Sequence, residues 1–259
     1  MTTAIISDIH GNAEALSAVF AEIDRRGIQR IVCLGDVVGY GPEPLRCIDM
    51  VRARCEWSLL GNHDYSILYE PTNFNGMAME SAFWTREQFE NEPDEGLRKE
   101  RFEYLSMMPV RRLEVPPTCT VPLLAVHGSP RKPVNEYLFE EDVRNAPEKI
   151  EASFERFERI AVCGHTHYPG VFTDEMDFYK PAELGEDMTY RFSPGEKAII
   201  NVGSVGQPRD SDPRAAFVVM EQDTARFVRV PYNVDATASR IRAIPALNDY
   251  LGDRLFLGR

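Results

Sequence analysis

Five short apolar runs in this chain end alike, in a tight turn followed at once by side chains able to bind metal. Ala4–Ile6 leads through Ser7 to Asp8 and His10, and Ile31–Leu34 leads through Gly35 to Asp36. Trp57–Leu60 leads through Gly61 to Asn62, His63 and Asp64. Leu123–Val126 leads to His127-Gly128, and Ile160–Cys163 leads through Gly164 to His165-Thr166-His167. These runs, with a sixth at Ile199–Val202, are rich in Ile, Val and Leu and alternate little. That pattern fits strands covered on both faces. Asn12 to Arg26 carries Leu16, Val19, Phe20 and Ile23 at helical spacing, with Asn12 placed as N-cap and Gly27 as stop. Pro42 to Arg54 repeats the pattern with Leu45, Ile48 and Val51. Strands alternating with helices predict an α/β fold. In open α/β sheets the carboxyl ends of the strands face the ligand crevice. Five strand ends are therefore expected to bring seven oxygen and nitrogen donors to one place.

Spacing supports that convergence. Asp8 and His10, like His165 and His167, stand two residues apart, so in an extended segment both members point to one side. Small residues beside the donors let the backbone turn sharply and approach closely. Imidazole, carboxylate and carboxamide without thiolate suit Mn, Fe, Co, Ni or Zn in a catalytic setting better than a structural zinc site. Taken singly, each motif also reads as a cap, a turn or a loop pair. Yet the chain has five histidines, and all five fall in these motifs.

With 259 residues, 43% of them hydrophobic, the chain can bury one large core, and we expect a single domain over 1–259. Its formal charge of −12 would repel a nucleic-acid polymer, although metal ions can reverse the field locally in a cleft. The N-terminal residues lack a basic stretch and a long apolar core, and no run approaches a membrane span, so we expect a cytoplasmic protein. The five cysteines, Cys33, Cys47, Cys55, Cys119 and Cys163, show no CxxC spacing and read as free thiols. Residues 71–108 interrupt the strand–helix rhythm and are expected to form two helices, either a layer covering the sheet or a cap over the site. Ala216–Glu221 and Arg226–Val230 read as a hairpin, and Ala236 to Leu251 as a final helix broken at Pro245. Homo-oligomerisation is left open.

Together the motifs resemble the calcineurin-like metallophosphoesterase superfamily: D-x-H, G-D, G-N-H-[DE], H-G and G-H-x-H, all present and in order. The segment Asn201–Pro208 is similar to one in its small bacterial phosphodiesterase branch. The resemblance implies a two-sheet β-sandwich flanked by helices, a four-layer α/β/β/α arrangement. It also implies two divalent or mixed-valence transition-metal ions. One would be held by Asp8, His10, Asp36 and His167, the other by Asp36, Asn62, His127 and His165, with Asp36 bridging. A metal-bridging hydroxide would attack phosphorus. His63 would act as general acid or phosphoryl donor, its tautomer and charge set by Asp64; a plain turn-stabilising role for Asp64 is the alternative.

One departure bears on the substrate. Where the Ser/Thr protein phosphatases have Asp and Arg, this chain has Gly39 and Tyr40. That loss of a phosphate-binding arginine argues against a dedicated protein phosphatase. Tyr40 is then a candidate substrate contact or a packing residue, Phe74 or Tyr40 could stack on a base, and Arg209 is a candidate phosphate contact or a surface residue. The expected activity is hydrolysis of small phosphodiesters or nucleotide phosphoanhydrides such as dinucleoside polyphosphates. The alternatives are a phosphomonoesterase or protein phosphatase and, third, a non-catalytic scaffold on the same fold.

Overall fold

The computed structural model of the chain describes residues 2–72, 74–115 and 122–259. Twelve strands are found among them: β1 Thr3–Ile6, β2 Arg30–Cys33, β3 Trp57–Ser58, β4 Arg111–Glu114, β5 Leu123–Val126 and β6 Ile160–Cys163, then β7 Gly170–Thr173, β8 Phe178–Tyr179, β9 Thr189–Arg191, β10 Ala198–Asn201, β11 Ala215–Glu221 and β12 Thr224–Val230. The helices are α1 Ala13–Arg25, α2 Pro44–Arg54, α3 Asn62–Leu68, α4 Gly76–Glu90, α5 Glu95–Met107, α6 Asp142–Asn145, α7 Pro147–Phe154, α8 Val234–Arg242 and α9 Tyr250–Asp253, and a 3-10 turn follows at Arg254–Leu257.

The strands form two sheets, ordered β3-β2-β1-β11-β12-β9 and β4-β5-β6-β10-β7-β8. In each, three neighbouring strands run parallel, β3-β2-β1 and β5-β6-β10, and the rest pair antiparallel. Alternate residues divide cleanly between layers. Ile5, Val32 and Val218 from one sheet meet Ala125, Val162 and Ile200 from the other. Ala4, Ile6, Ile31 and Cys33 turn outward onto Leu16, Val19 and Ile23 of α1 and Ile48 and Val51 of α2. Leu124, Val126, Ala161 and Cys163 turn outward onto Ile150 and Phe154 of α7. The layers are thus helix, sheet, sheet, helix, as expected. Every residue of β1, β2, β5, β6 and β10 is buried. Each such Val, Ile or Leu contributes about 1.5–3 kcal/mol.

Local signals account for most boundaries. The Asn12 side chain accepts the Ala15 N–H at 3.1 Å and starts α1. The second helix starts at Pro44, not Pro42, because a fixed φ and a missing N–H suit the first helical turn. The final helical segment is interrupted around Pro245 as expected, with different bounds: α8 runs from Val234 to Arg242, and α9 is a separate short helix. The residue before Pro245 is biased away from helical geometry, so the chain could not run on. The segment at 71–108 does form two helices, and Phe89, Leu105 and Met108 bury into the core beneath α1 and α2. Of the cysteines, Cys33, Cys47 and Cys163 are buried and Cys55 half-buried, all free; Cys119 lies outside the described residues. No helix among the described residues is long and apolar enough to cross a membrane.

Candidate metal centre

The carboxyl ends of β1, β2, β3, β5 and β6 converge on one site, where the loop backbone is strained. Asp8, His10, Asp36, Tyr40, His165 and His167 all adopt positive φ, between 50° and 66°. A non-glycine residue held there costs on the order of 1 kcal/mol or more and persists only where surrounding structure enforces it, commonly at functional sites. The enforcement is visible. Asp8 N–H donates to Gly35 O, and the N–H groups of Ile9 and His10 both donate to Asp36 O, at 2.8–3.0 Å. Two glycines are required by proximity: a Cβ on Gly61 would lie 2.1 Å from Asp36 Oδ1, and one on Gly164 would lie 2.4 Å from Asp8 Oδ2.

Three ring nitrogens point inward because the other nitrogen of each ring is held by a backbone carbonyl. His10 Nδ1 meets Val38 O at 3.2 Å, His167 Nδ1 meets Gln207 O at 2.5 Å and His127 Nδ1 meets Leu34 O at 3.1 Å. A carbonyl only accepts, so each Nδ1 carries a proton; in the neutral rings of His10 and His167 the Nε2 then presents a lone pair, as that of His127 does once its second proton leaves. His10 Nε2 and His167 Nε2 then face each other at 3.0 Å, beside Asp8 Oδ1 at 3.8 and 3.2 Å, respectively. His127 Nε2 lies 3.2 Å from Asn62 Oδ1, 3.2 Å from His165 Nδ1 and 3.3 Å from Asp36 Oδ2. Asp36 Oδ2 is also 3.7 Å from His10 Nε2, so this one oxygen stands between the two groups.

This crowd of acceptors has too few protons. Asp8 Oδ1 is buried with no hydrogen-bond partner. Asp8, His10 and His167 offer donor atoms within 4.8 Å of one another, and so do Asp36, His127 and His165. Such sets fit cations, and the donor chemistry fits the first-row transition metals expected from the sequence. The titration behaviour agrees. Burial lowers His10 and His167, with His165 pushed down to about 3, so these rings stay neutral and ready to ligate. Burial opposes ionisation of Asp8 and Asp36, but the facing imidazoles outweigh it and hold both carboxyls below their ordinary range. His127, lowered by burial but raised more by Asp36, stands at about 9 without metal.

His63, the second residue of α3, donates its backbone N–H to Asp36 Oδ1 at 2.8 Å. Its ring packs between Tyr40, His10 and Phe74 at 4.4, 4.9 and 4.6 Å, and its Nδ1 has no partner. The predicted pairing of Asp64 with the His63 ring needs correction. Asp64 Oδ1 accepts from Val37 N and Val38 N at 2.9 and 3.3 Å, and its Oδ2 accepts from Gly61 N at 3.1 Å. It ties the two loops together and leaves the imidazole alone. Burial lowers His63 to about 4, so the ring is neutral at pH 7 in this environment, contrary to the charged form the sequence suggested. His63 also forms a close triple with His10 and Asp36, so a ligand role is geometrically open to it.

Tyr40 is half-buried; its N–H donates to Ser81 Oγ in α4, and its ring joins an apolar cluster with Leu251 and Leu255. The Arg209 guanidinium lies 5.9 Å from the Tyr40 ring, and the Arg209 backbone N–H donates to His167 O at 3.5 Å. A cation therefore does stand beside the site, from a different loop than the one whose arginine is missing. Asn201–Pro208 buttresses the centre: Asn201 Nδ2 donates to Gly164 O, Ser204 Oγ to Asp8 O, and Gln207 O receives the His167 ring.

Sequence reasoning missed two residues here. Tyr137 stacks on His165 at 3.8 Å and 15°. Arg254, in the last turn of the chain, adjoins Leu255, which packs in one cluster with Tyr40, and its guanidinium lies over the Tyr250 ring at 5.5 Å. Beyond Tyr137 and Phe139 a cleft of about 580 Å³ opens, lined by Phe139, Tyr168, Phe178 and Lys180 among others.

Residues 1–225 match the calcineurin-like phosphoesterase superfamily domain. An uncharacterized protein of Methanocaldococcus jannaschii is 35% identical over 261 residues, covering 99% of this chain and 98% of that protein. A solved metallophosphoesterase from Sphaerobacter thermophilus is 34% identical with a TM-score of 0.81, covering 100% of this chain and 99% of that one. A hypothetical protein from Pyrococcus horikoshii, 19% identical, shares the fold at a TM-score of 0.74 over 100% and 98% of the two chains. A domain match of this extent leaves no room for a chance likeness of motifs, and the chain belongs to the calcineurin-like phosphoesterase superfamily.

Proposed function

We propose that this protein is a dinuclear-metal hydrolase acting on small phosphodiesters or nucleotide phosphoanhydrides, of which dinucleoside polyphosphates are an example. The observation that carries the reading is the opposition of His10 Nε2 and His167 Nε2 at 3.0 Å, each ring locked by a carbonyl on its far nitrogen. Two neutral lone pairs repel at that distance, and a shared cation relieves the repulsion. Asp8, His10, Asp36 and His167 would hold one ion, and Asp36, Asn62, His127 and His165 the other. Such ions, when bound, polarise phosphoryl oxygens and make water acidic enough to act as a nucleophile near pH 7.

The chain's own residues supply the rest. His63, buried with one unpartnered nitrogen, can donate a proton or hydrogen bond to the departing oxygen. Arg209 can offset charge on the phosphoryl group. The cleft beside Tyr168 gives a second substituent somewhere to lie. A phosphomonoesterase is the second reading, and Arg209 favours it by supplying the cation that a monoester dianion needs. The test is a panel of aryl monoesters, bis-aryl diesters and dinucleoside polyphosphates, each assayed with Mn, Fe, Co, Ni and Zn. Higher kcat/KM on the diesters or anhydrides supports the proposal; a preference for monoesters across several leaving groups moves it to the second reading.

A further inference from the structure

Arginines in the interior of this protein are matched to carboxylates. Arg30 pairs with Glu56 and Glu114, Arg101 with Asp49 and Glu92, and Arg229 with Asp210. The half-buried Arg159 has two backbone carbonyls in place of a carboxylate, and Arg209 and Arg254 have fewer partners still. Both are half-buried, and among the described residues neither has a carboxylate side chain within ion-pair distance. The acids next to them in sequence are already taken, Asp210 by Arg229 and Asp253 by Arg242 at 2.6 Å. Arg209 gives one Nη to Gln207 Oε1 at 2.7 Å, and its buried Nε has no partner. Arg254 gives Nε to a main-chain oxygen of Arg259, the last residue, and its guanidinium lies over the Tyr250 ring at 5.5 Å; no hydrogen bond among the described residues engages its two Nη groups.

The fold brings these two cations together. Leu251 and Leu255, flanking Arg254, pack with Tyr40 in one apolar cluster. The same two leucines share a small cavity with His10, Tyr40 and Gln207. Ser211, two residues past Arg209, donates its N–H to Gly258 O at 2.9 Å and ties the Arg209 loop to the last turn. Burial lowers Arg254 from its ordinary range, and the Arg209 guanidinium adds to the shift, while Tyr250, Tyr40 and Tyr168 act the other way. Two guanidinium groups near one another, neither paired with an Asp or Glu side chain among the described residues and each with donors left over, can take an anion between them. The scissile phosphoryl group would be served by the ions that Asp8, His10, Asp36, Asn62, His127, His165 and His167 would hold.

We propose that Arg209 and Arg254 form a second anion subsite, which holds a phosphoryl group linked through one bridging oxygen to the one under attack. This rests on the phosphoesterase reading above and narrows it to phosphoanhydrides. In hydrolysis of such a substrate, the oxygen of one water bonds to the attacked phosphorus. The P–O–P bond breaks, and the bridging oxygen leaves with the electron pair on the second phosphoryl group, where the two guanidinium groups offset the new charge. The two protons of water end on the product phosphates or in solvent, and no other reactant is needed.

Two measurements on the metal-replete protein test this. The first is equilibrium binding, by calorimetry with metal in excess, of methylenebisphosphonate and methylphosphonate, which are not hydrolysed. Wild type should bind the bisphosphonate at least about tenfold tighter, Arg254→Gln should erase most of that preference, and Arg254→Lys should keep part of it. The second is the ratio of kcat/KM for a nucleoside 5′-diphosphate to that for an aryl monophosphate, expected to fall about tenfold or more in Arg254→Gln, mainly through KM. An unchanged ratio, or a bisphosphonate preference that survives Arg254→Gln in a protein with wild-type thermal unfolding, overturns the subsite. A wild-type protein that hydrolyses no phosphate compound, yet shows the Arg254-dependent preference, overturns the phosphoesterase reading and leaves the subsite standing.

Discussion

His10 Nε2 and His167 Nε2 face each other at 3.0 Å across the site, while Val38 O and Gln207 O hold their Nδ1 atoms from behind. The backbone has thus fixed both tautomers before any ligand arrives. Such preorganisation raises ligand basicity and is what a metal site needs from the residues behind its donors. It also makes the roles of individual side chains separable by mutation.

His63→Asn separates proton transfer from ligation. If His63 serves the leaving group, the variant keeps its metal content and loses roughly 10²–10⁴ in kcat. The loss shrinks for a leaving group that needs little protonation. Loss of one equivalent of metal in the variant would instead assign His63 to the metal shell, as its proximity to His10 and Asp36 permits.

Gly61→Ala tests the close approach of the β3 turn to Asp36. The added Cβ would sit 2.1 Å from Asp36 Oδ1 and 2.4 Å from Asp36 N, backbone that cannot easily yield. We expect about 1–3 kcal/mol of destabilisation together with lower metal occupancy. Gly27→Ala is the contrast. It has open space around it and a φ of +68°, so it should cost about 1–2 kcal/mol through strain and leave metal content intact. Equal metal loss in both variants would refute the local account.

Acid should destabilise the metal-free protein in a defined window. His63 at about 4 and His165 at about 3 are both depressed by burial from an unfolded value near 6.5. Between those limits the unfolded chain binds more protons, so stability falls as pH falls, by up to about 1.4 kcal/mol per pH unit for each ring. His127, raised to about 9, acts in the opposite sense, and its contribution fades only as pH rises above 6.5. Asp64, raised to about 7 by burial and by Asp36, also acts in the opposite sense and offsets one ring between pH 7 and 5, leaving the net decline to the several depressed imidazoles. Urea midpoints measured at pH 7, 6 and 5 should therefore decline, with a shallower decline in His165→Gln. A midpoint constant from pH 7 to 5 contradicts this.

The donors were legible because strand ends write them into sequence: a buried run, a turn, then an acid or imidazole. The parallel strands were legible for the same reason, being apolar on both faces. Edge strands were not. β4 reads Arg-Arg-Leu-Glu, is largely exposed, and owes its conformation to pairing with β5. The carbonyls behind the histidines could not be foreseen, since every residue carries one and only the fold selects Val38, Leu34 and Gln207. Asp64 was misread for a related reason. Adjacency to His63 suggested contact, but on α3 the two side chains diverge, and the carboxylate caps the Gly61 turn instead. Tyr137 and Arg254 sit in segments with no motif of their own; tertiary packing alone stacks Tyr137 on His165 and brings Leu255, beside Arg254, into one cluster with Tyr40.

The central claim is that Asp36 joins two cation sites, and elemental analysis of the purified chain tests it most directly. Wild type should carry about two transition-metal ions per chain, and Asp36→Asn should lose both, because the one carboxylate oxygen facing both groups no longer carries charge to either. Phosphoesterase activity should vanish with chelation and return with divalent metal. Trace metal alone in the wild type, with activity indifferent to chelator, would contradict the account.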